Sequence, residues 1–424
     1  MMRPFPSPPL LLALIGIPVL LGIALAFTHS GVNTGAGETG QAALNLLREG
    51  FLGNPYLLPT GPTAHVSPVH SGYLAAVYFL FGENTAGARI VLSLVCTALW
   101  AASTYYVVRI GLGQKLGPVG IGVGVSLTCL MPLYLYLAVV GYRQWDQPFA
   151  ALILTYSLHR VMRGEGNGSL RSVVAMAALA GLGALISPAI LPTLLIGVWF
   201  ALPPLAQPRK LGTAAVMAAV VVAAFLLPWG LRNAEQLGTF NLTRSNFGLE
   251  LALGNNALSA GDSETANHDL HPFLSEPAAR LAADIGEVAY MRRMSDLATG
   301  WIKDHPGEFI GLSVTRGLLT FVPSERMIAG WWPLIGAGFA WLYFTAFGLA
   351  KALGLLWVLF HGPRRMVWLA YTMLPLAPYL LTHVNTRYLF VVFFPSVCLI
   401  AYVADHAWNT VAARCRPGLL GRPG

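Results

Sequence analysis

The stretch LGTAAVMAAVVVAAFLLPWGLRN, residues 211–233, is a largely apolar run that gives way to an arginine and an asparagine. Its apolar part has the length of a membrane-spanning helix, which needs about 20 residues. A polar run, RSNFGLELALGNN at 244–256, follows shortly afterwards and holds Arg244, Glu250, three asparagines and two glycines. An apolar span followed by a polar segment predicts a membrane protein whose polar groups lie together at one membrane face.

The composition of the whole chain has the same character. Of its 424 residues 55% are hydrophobic and 10% are charged, and the mean hydropathy is +0.62. A soluble domain carries about 25% charged residues, so this chain cannot cover its surface with solvated side chains. We therefore expect an all-α polytopic membrane protein. The net charge of +8 indicates an excess of lysine and arginine on the cytoplasmic side rather than a nucleic-acid-binding surface.

Ten apolar runs are close to the length of a membrane span. They lie at 9–28, 86–108, 117–139, 148–162, 172–188, 189–205, 211–229, 331–359, 366–382 and 387–404. If both termini are cytoplasmic, most cationic residues near these spans fall on the cytoplasmic side, as is usual in membrane proteins. These residues are Arg3, Arg109, Lys115, Arg160, Arg163, Arg171, Arg209, Lys210, Arg364, Arg365, Arg414, Arg416 and Arg422.

This topology leaves two long segments on the opposite, outer face. The first outer segment is 29–85 and the second outer segment is 230–330. The sequence accordingly divides into three parts. An N-terminal transmembrane module with the first outer segment occupies 1–229, the second outer segment follows, and C-terminal transmembrane helices with a basic cytoplasmic tail occupy 331–424. Two short loops emerge on the same outer face, so we expect the polar residues of a site to collect there.

Two acidic residues are candidates for that site. Glu38 begins a predicted amphipathic helix, where a carboxylate interacts favourably with the helix dipole; the alternative is a general base or a metal ligand. Asp146 begins the fourth span, where it can cap the helix. An acid at the edge of an apolar helix usually needs a partner, so a role in a site is an equal alternative for Asp146.

Four basic residues are candidates for holding a phosphate group. Arg232 follows the seventh span and Arg244 lies in the polar run, and a guanidinium can bind two phosphate oxygens or a lipid headgroup. His383 and Arg387 lie in a hairpin so short that both should lie at the membrane boundary. An arginine there can simply extend to the headgroups. A positive charge on the outer face runs against the usual bias, however, which favours a functional role for Arg387.

Other polar side chains could contact a sugar or an acceptor. Asn246 and Asn255 offer donors and acceptors that suit sugar hydroxyls, or merely turn geometry. His65 and His70 lie in the proline-rich part of the first outer segment. They could contact a substrate, a phosphate or a metal, or be ordinary polar residues of a loop.

Several segments, in the same order, resemble bacterial family-39 glycosyltransferases, which are relatives of the dolichyl-phosphate-mannose protein mannosyltransferases and of the aminoarabinose transferase. The segments are GNPYLLPTGPTAHVSPVHSGYLAAVYFLFG at 53–82, PWGLRN at 228–233, RSNFGLELALGNN at 244–256, GEVAYMRRMSDLATGWIKDHPGEF at 286–309 and HVNTRY at 383–388. The resemblance implies a GT-C fold with about ten transmembrane helices and short helices along the membrane surface. It also implies a place in a bacterial inner membrane, with the site on its outer face.

The resemblance further implies transfer of a sugar, with inversion, from a polyprenyl-phosphate donor to a hydroxyl group of a lipid, glycan or protein. Glu38 first and Asp146 second would act as the base. Arg232, Arg244, Arg387 and His383 would bind the donor phosphate, and a divalent metal is possible. Members of the family usually carry an aspartate in the first outer loop, where this chain reads Gly37-Glu38. This difference raises the question of whether the chemistry is retained.

Two other functions use similar features. A lipid or solute transporter also has an apolar body with charges at its boundary, but it usually needs ionisable residues deep within its spans. Such residues are sparse here, and Lys351 is the main exception. A non-catalytic relative that binds a polyprenyl lipid is the second alternative.

Overall fold

A computed structural model describes residues 8–164, 168–329, 337–362 and 364–415. Arg3, Arg416 and Arg422 of the predicted topology, and the beginning of the eighth predicted span, lie outside these ranges. The described residues are almost entirely helical, and their only β-structure is two isolated bridges. The prediction of an all-α protein is confirmed.

The first ten helices comprise the N-terminal part of the chain up to the second outer segment. Their bounds are α1 Pro8–Thr28, α2 Gly37–Glu49, α3 Pro68–Phe81, α4 Ala86–Gly113, α5 Pro118–Cys129, α6 Pro132–Tyr136, α7 Gln147–Arg163, α8 Leu170–Ile186, α9 Leu191–Ala201 and α10 Pro208–Leu237. A π-helical turn, Leu137–Gly141, follows α6 directly.

Ten further helices complete the described chain. Their bounds are α11 Phe247–Gly254, α12 Glu276–Ile285, α13 Glu287–Asp304, α14 Pro306–Leu319, α15 Glu325–Ala329, α16 Ala337–His361, α17 Arg365–Thr372, α18 Ala377–Leu381, α19 Thr386–Val391 and α20 Phe393–Cys415. Short 3₁₀ turns lie at Pro188–Ile190, Ser263–Thr265, His268–Leu270 and Leu374–Leu376.

The helices agree with the predicted membrane spans. Among the described residues, α4, α10 and α16 are long and apolar enough to cross a membrane individually. The pair Pro118–Cys129 and Pro132–Gly141 passes the same test as one span with a bend of 47°. Proline at 132 explains the break, because its ring cannot continue the preceding helix. Over the described residues, each of the ten predicted spans coincides with one helix or with consecutive helices, as expected for a polytopic membrane protein.

The C-terminal helices pack into the same core as the N-terminal ones. Trp100 of α4 stacks on Phe393 with ring centroids 5.3 Å apart and meets Phe394 edge-on at 4.9 Å. Further along α20, the buried Asp405 accepts hydrogen bonds from the backbone amides of Gly117 and Gly120, at 2.9 and 3.1 Å. These amides begin α5, so the carboxylate caps that helix.

The division of the sequence into three parts, 1–229, 230–330 and 331–424, stays a prediction.

The two outer segments form a second layer of shorter helices. The predicted amphipathic helix of the first outer segment is α2, whose buried side is made of small residues such as Ala42 and Ala43. The first outer segment also contains α3, which begins after Ser67. The hydroxyl of Ser67 accepts a hydrogen bond from the backbone amide of His70. In the second outer segment, α11, α12 and α13 share an apolar cluster that also contains Tyr56 of the first.

A buried carboxylate joins the two outer segments. Glu287, at the start of α13, is 3% exposed. It accepts hydrogen bonds from the hydroxyl of Thr63, from the backbone amide of Ala64 at 3.0 Å and from the hydroxyl of Ser245 at 2.8 Å. The residues directly after Ala64 and before Ser245 are His65 and Arg244. Glu287 therefore sets the positions of two candidate site residues without contacting either.

Two further polar contacts attach the hairpin that precedes α19. The buried Arg316 of α14 donates to the carbonyl of Gly254 at 2.5 Å, to the side chain of Asn255 at 3.1 Å and to the carbonyl of Leu381 at 3.2 Å. The chain around Asp262 also pairs with Val384 as a parallel β-bridge. The end of α11 and the hairpin carrying His383 are thus fixed relative to each other.

Replacement of Glu287 by alanine is expected to destabilise the outer layer. Two buried donors, on Thr63 and Ala64, and the partly buried hydroxyl of Ser245 would lose their acceptor. We therefore expect the free energy of unfolding to fall by about 2–5 kcal/mol. The measurement is reversible unfolding in mixed detergent micelles. Glu308→Ala, at an exposed position of α14, is the control and should unfold like the unaltered protein. Equal stability of Glu287→Ala and the control would contradict the assigned role.

Candidate active site

A cavity of about 520 Å³ lies where the two outer segments meet the ends of the membrane-spanning helices. Its wall includes the start of α2, the chain before α7, the break between α8 and α9, and the hairpin before α19. Seven of the ten residues predicted for the site line this cavity. They are Glu38, His65, Asp146, Arg244, Asn246, His383 and Arg387.

Arg143 connects the chain that precedes Glu38 to the loop that carries Asp146. This arginine is fully buried and donates to the carbonyls of His29 and Val32 and to the hydroxyl of Ser93 at 3.2 Å. The chain leading to Glu38 is thereby tied to the loop that carries Asp146. In the sequence, Arg143 only stands out as an arginine on the predicted outer face.

Glu38 forms an ion pair with His271. The carboxylate Oε1 lies 3.0 Å from Nε2 of the histidine, and both side chains are largely buried. Burial favours the neutral carboxyl, but the hydrogen bond and charge of His271 outweigh it and lower the pKa of Glu38 to about 2. Burial lowers the pKa of His271, while its hydrogen bond and attraction to Glu38 exceed that effect and raise it. Both shifts favour the ionised form of the pair.

His65 lies beside this pair, and the three side chains together are of the types that commonly bind metal ions. One ligand atom each of Glu38, His65 and His271 lie within 4.8 Å of one another. Burial lowers the pKa of His65 to about 3, and its Nδ1 lies 3.0 Å from the hydroxyl of Tyr56. A neutral imidazole oriented by a second hydrogen bond suits a divalent cation such as Zn²⁺. The three residues thus fit a divalent metal.

Asp146 is paired with Arg244. The carboxylate lies 2.5 Å from the guanidinium, which also donates to the carbonyl of Ile186 at 2.9 Å. The Asp146 side chain is 4% exposed and that of Arg244 is 24% exposed. Two residues predicted to play different roles therefore neutralise each other in the cavity wall.

Arg387 differs from Arg244 in that its guanidinium contacts an aromatic ring. Its guanidinium lies over the ring of Trp145, with 3.8 Å between Cζ and the ring centroid. Within the described part of the chain, no carboxylate forms an ion pair with it. The backbone amide of Arg387 donates to the side chain of Asn385 at 2.9 Å, which caps α19. The arginine is held in orientation by an aromatic ring while its hydrogen-bonding groups remain available.

Glu250 was not predicted as a site residue, although it lies in the polar run at 244–256. It lines the cavity and accepts a hydrogen bond from the side chain of Asn246 at 3.1 Å. Nε2 of His383 lies 3.7 Å away, and burial lowers the pKa of His383 to about 3, so this imidazole is neutral. Burial raises the pKa of Glu250. The sequence does show that Glu250 is a single acid within an otherwise apolar helix. It does not show that Asn246 and His383 would be its neighbours.

Three predicted site residues lie outside the cavity wall. Arg232 donates to the carbonyls of Thr63 and Leu52 at 2.7 and 2.8 Å. Asn255 is buried against Arg316, and the ring of His70 lies 3.1 Å from the carbonyl of Gln144. Each is engaged with protein groups that support the cavity. Their predicted contacts with substrate stay predictions.

Comparison with known proteins identifies the fold. No family model matches the chain, and no curated protein sequence matches it. The oligosaccharyltransferase of Archaeoglobus fulgidus, tethered to an acceptor peptide with an NVT sequon, is similar with a TM-score of 0.50 at 14% identity over 98% of this chain. This chain spans 52% of that protein's length. This chain therefore has a fold like that of this oligosaccharyltransferase, in agreement with the predicted GT-C-like fold, and the likeness at this identity shows the fold alone.

Two other solved structures are similar over most of this chain. AglB, the oligosaccharyltransferase from Archaeoglobus fulgidus, in complex with an inhibitory peptide and a dolichol-phosphate, has a TM-score of 0.49 at 14% identity over 98% of this chain and 52% of its own. ArnT from Cupriavidus metallidurans bound to undecaprenyl phosphate has a TM-score of 0.37 at 13% identity over 96% of this chain and 80% of its own.

The pairing of Asp146 with Arg244 can be tested by a double-mutant cycle. Asp146→Asn and Arg244→Gln should each lower stability, and the double variant should lose less than the sum. We expect a coupling free energy of about 1–3 kcal/mol, because the pair is partly buried. The measurement is unfolding of all four proteins in mixed micelles. Additive effects would contradict the pairing, and the exposed pair Arg280–Glu276 offers a control with little coupling.

Proposed function

We propose that this chain is an inverting membrane glycosyltransferase related to family 39, which moves a sugar from a polyprenyl phosphate to a hydroxyl acceptor. The observation that carries the proposal is the guanidinium of Arg387, which has no acidic partner among the described residues. It lies in a cavity that also contains carboxylates and is located at the ends of apolar spans. A lipid-linked phosphate needs an apolar place for its tail and a cation for its headgroup. The GT-C fold and the resemblance of the sequence segments support the same function.

The donor phosphate would bind to Arg387. A guanidinium forms two parallel hydrogen bonds with phosphate oxygens, and these become stronger as the leaving phosphate gains charge. Arg244 lies in the same cavity and would contribute after reorganising its bond with Asp146. His383, being neutral, would act as a hydrogen-bond donor rather than as a charge. Arg232 would act on the donor only indirectly, through the Thr63 loop that it holds.

The lipid tail would lie against the membrane-spanning helices. An open groove of about 470 Å³ between α9 and α10 is lined entirely by apolar side chains, among them Leu195, Leu226 and Leu242. Leu242 is two residues from Arg244, so one end of this groove lies close in sequence to the cavity wall. An isoprenoid chain would bury its apolar surface there.

The sugar and the acceptor would occupy the cavity itself. Asn246 and His65 line it and offer hydrogen bonds for hydroxyl groups. The acceptor oxygen would attack the anomeric carbon on the face opposite the phosphate, which inverts its configuration. The acids predicted as bases, Glu38 and Asp146, each contact a cation. We propose that they also fix His271 and Arg244 in place.

A divalent metal would be held by Glu38, His65 and His271. When bound, it would supply a fixed positive charge that polarises an oxygen of a substrate. Binding would displace the proton that His271 carries in its ion pair with Glu38. Glu38 in place of the family's aspartate retains a carboxylate for this purpose.

The proposal includes an orientation. The cavity is built from the two outer segments, and the positive charges of the predicted topology place these segments opposite the cytoplasm. The site would then face the outside of a bacterial inner membrane. The transporter alternative has little support, because the buried Lys351 of α16 donates to the carbonyl of Thr320 at 2.8 Å and so has a structural partner.

The proposed function is tested with membranes that contain the chain, undecaprenyl-phosphate sugars radiolabelled in the sugar, and membrane lipids and envelope glycans as acceptors. The unaltered protein should transfer label from one donor of a panel of hexoses and pentoses. Arg387→Gln should lower the rate by about 10²-fold or more, because it removes the charge opposite the leaving phosphate. Arg387→Lys should retain part of the rate.

The control is Arg280→Ala, at an exposed position of α12, which should transfer at the unaltered rate. Transfer from no donor, or full activity of Arg387→Gln, would contradict the proposal. Movement of undecaprenyl phosphate across liposomes without transfer would favour a transporter. Saturable binding of undecaprenyl phosphate with neither movement nor transfer would favour the non-catalytic relative.

Metal binding is tested separately from activity. We expect the purified chain, stripped with a chelator and dialysed against Zn²⁺ or Mn²⁺, to retain about one equivalent of one of them, as measured by elemental analysis. His271→Ala and His65→Ala should each reduce the retained metal by about 10-fold or more, because each removes a ligand. His305→Ala, at an exposed histidine of the second outer segment, is the control. Equal metal content in all four proteins would contradict this site.

A further inference from the structure

Among the described residues of the cavity wall, one enclosed carboxylate has no positively charged side chain paired with it. The carboxylate of Asp146 contacts Arg244, and that of Glu38 contacts the protonated His271. Glu264 also lines the cavity but is exposed to solvent and accepts from the hydroxyl of Ser263 at 3.2 Å. Glu250 is the remaining acid of the described cavity wall, with a side chain that is 23% exposed.

The helix that carries Glu250 is held rigidly on three sides. The amide of Ser245, just before α11, donates to the carbonyl of Ala64 at 2.9 Å. Gly248 lies so close to the carbonyl of Met291 that a Cβ would collide with the oxygen. Gly254, at the other end of the helix, lies equally close to the carbonyl of Thr382, and a Cβ would collide there too. Only glycine allows these approaches, and they direct Glu250 into the cavity.

The surroundings of Glu250 favour a group that exchanges a proton. Its two nearest polar contacts, the amide of Asn246 and the imidazole of His383, are neutral. Arg244, Arg387 and His271 face it from further away and lower its pKa, whereas the charge of Glu38 raises it, and burial outweighs these influences. A base works best when its pKa lies near the working pH. Glu38, with a pKa of about 2, is a weak base by comparison.

We propose that Glu250 is the general base of the transfer reaction; this assignment rests on the proposed function. As the acceptor oxygen forms its bond to the anomeric carbon, its proton passes to the carboxylate of Glu250. The bond between the anomeric carbon and the phosphate oxygen breaks at the same time, and its electron pair leaves with the polyprenyl phosphate. Arg387 receives that charge on the opposite side of the reacting carbon, and Glu250 returns its proton to water after product release.

The assignment is tested with Glu250→Gln, which keeps an oxygen that can accept from Asn246. We expect its transfer rate to fall by about 10²–10⁴-fold, while its saturable binding of undecaprenyl phosphate and its midpoint of thermal unfolding stay close to those of the unaltered protein. Glu250→Asp, which retains a carboxylate, should recover part of the rate. Glu308→Gln, at an exposed glutamate of α14, is the matched control and should transfer normally.

Chemical rescue separates a base from a residue that supports the fold. Glu250→Ala should regain transfer when formate is added, because a small carboxylate can occupy the vacated position and accept the proton. Glu38→Ala and Asp146→Ala should not respond to formate. Rescue of Glu38→Ala or Asp146→Ala instead of Glu250→Ala would overturn the assignment.

Three further outcomes would overturn the assignment of Glu250, and the last of them would also overturn the proposed function. Full transfer by Glu250→Gln would overturn the assignment while the unaltered protein's activity upholds the proposed function. Loss of undecaprenyl phosphate binding together with transfer in Glu250→Gln, without rescue of Glu250→Ala, would show that Glu250 positions the donor, which also overturns it. Transfer from no donor by the unaltered protein would remove the proposed function and this assignment with it.

Discussion

The outer layer of this protein depends on one buried carboxylate, Glu287, which accepts from Thr63, Ala64 and Ser245. Buried polar groups cost free energy unless they are hydrogen-bonded, so these groups favour a single relative arrangement of the two outer segments. That arrangement brings His65 and Arg244 to the same cavity, although 178 residues lie between them in the chain. The site is thus a consequence of how two distant loops satisfy one acid.

The 178 residues between His65 and Arg244 include six of the ten predicted spans, so this convergence is long-range. As a result, the charged groups of the cavity are of three kinds: ion pairs, a cation without an acidic partner and an acid without a cationic partner. Asp146 with Arg244, and Glu38 with His271, are pairs that hold the cavity wall together. Among the described residues, Arg387 is a cation without an acidic partner, and Glu250 is an acid without a positively charged partner. A reaction that moves a phosphate away and takes up a proton needs the last two kinds, and the pairs keep them oriented.

Much of the fold could be predicted from the sequence, because span length and the position of arginines follow directly from the properties of a membrane. Most of the predicted site residues also line one cavity. The partners could not be predicted, because pairing depends on contacts between distant segments. Arg232 and Arg244 look alike in sequence, yet one binds backbone carbonyls and the other a carboxylate. His271 lies in a loop with no periodic pattern, and nothing in its neighbourhood indicated that it would meet Glu38.

The central claim is that the first outer segment and the second outer segment meet around one cavity on the non-cytoplasmic face. The most direct test replaces the four native cysteines and introduces Glu38→Cys and His271→Cys, with Arg209→Cys as a cytoplasmic reference. Both site cysteines should react with a membrane-impermeant maleimide from the side opposite Arg209→Cys, and the double variant should form an internal crosslink with a short bifunctional thiol reagent. Reaction of the two site cysteines from opposite sides of the membrane would contradict the account.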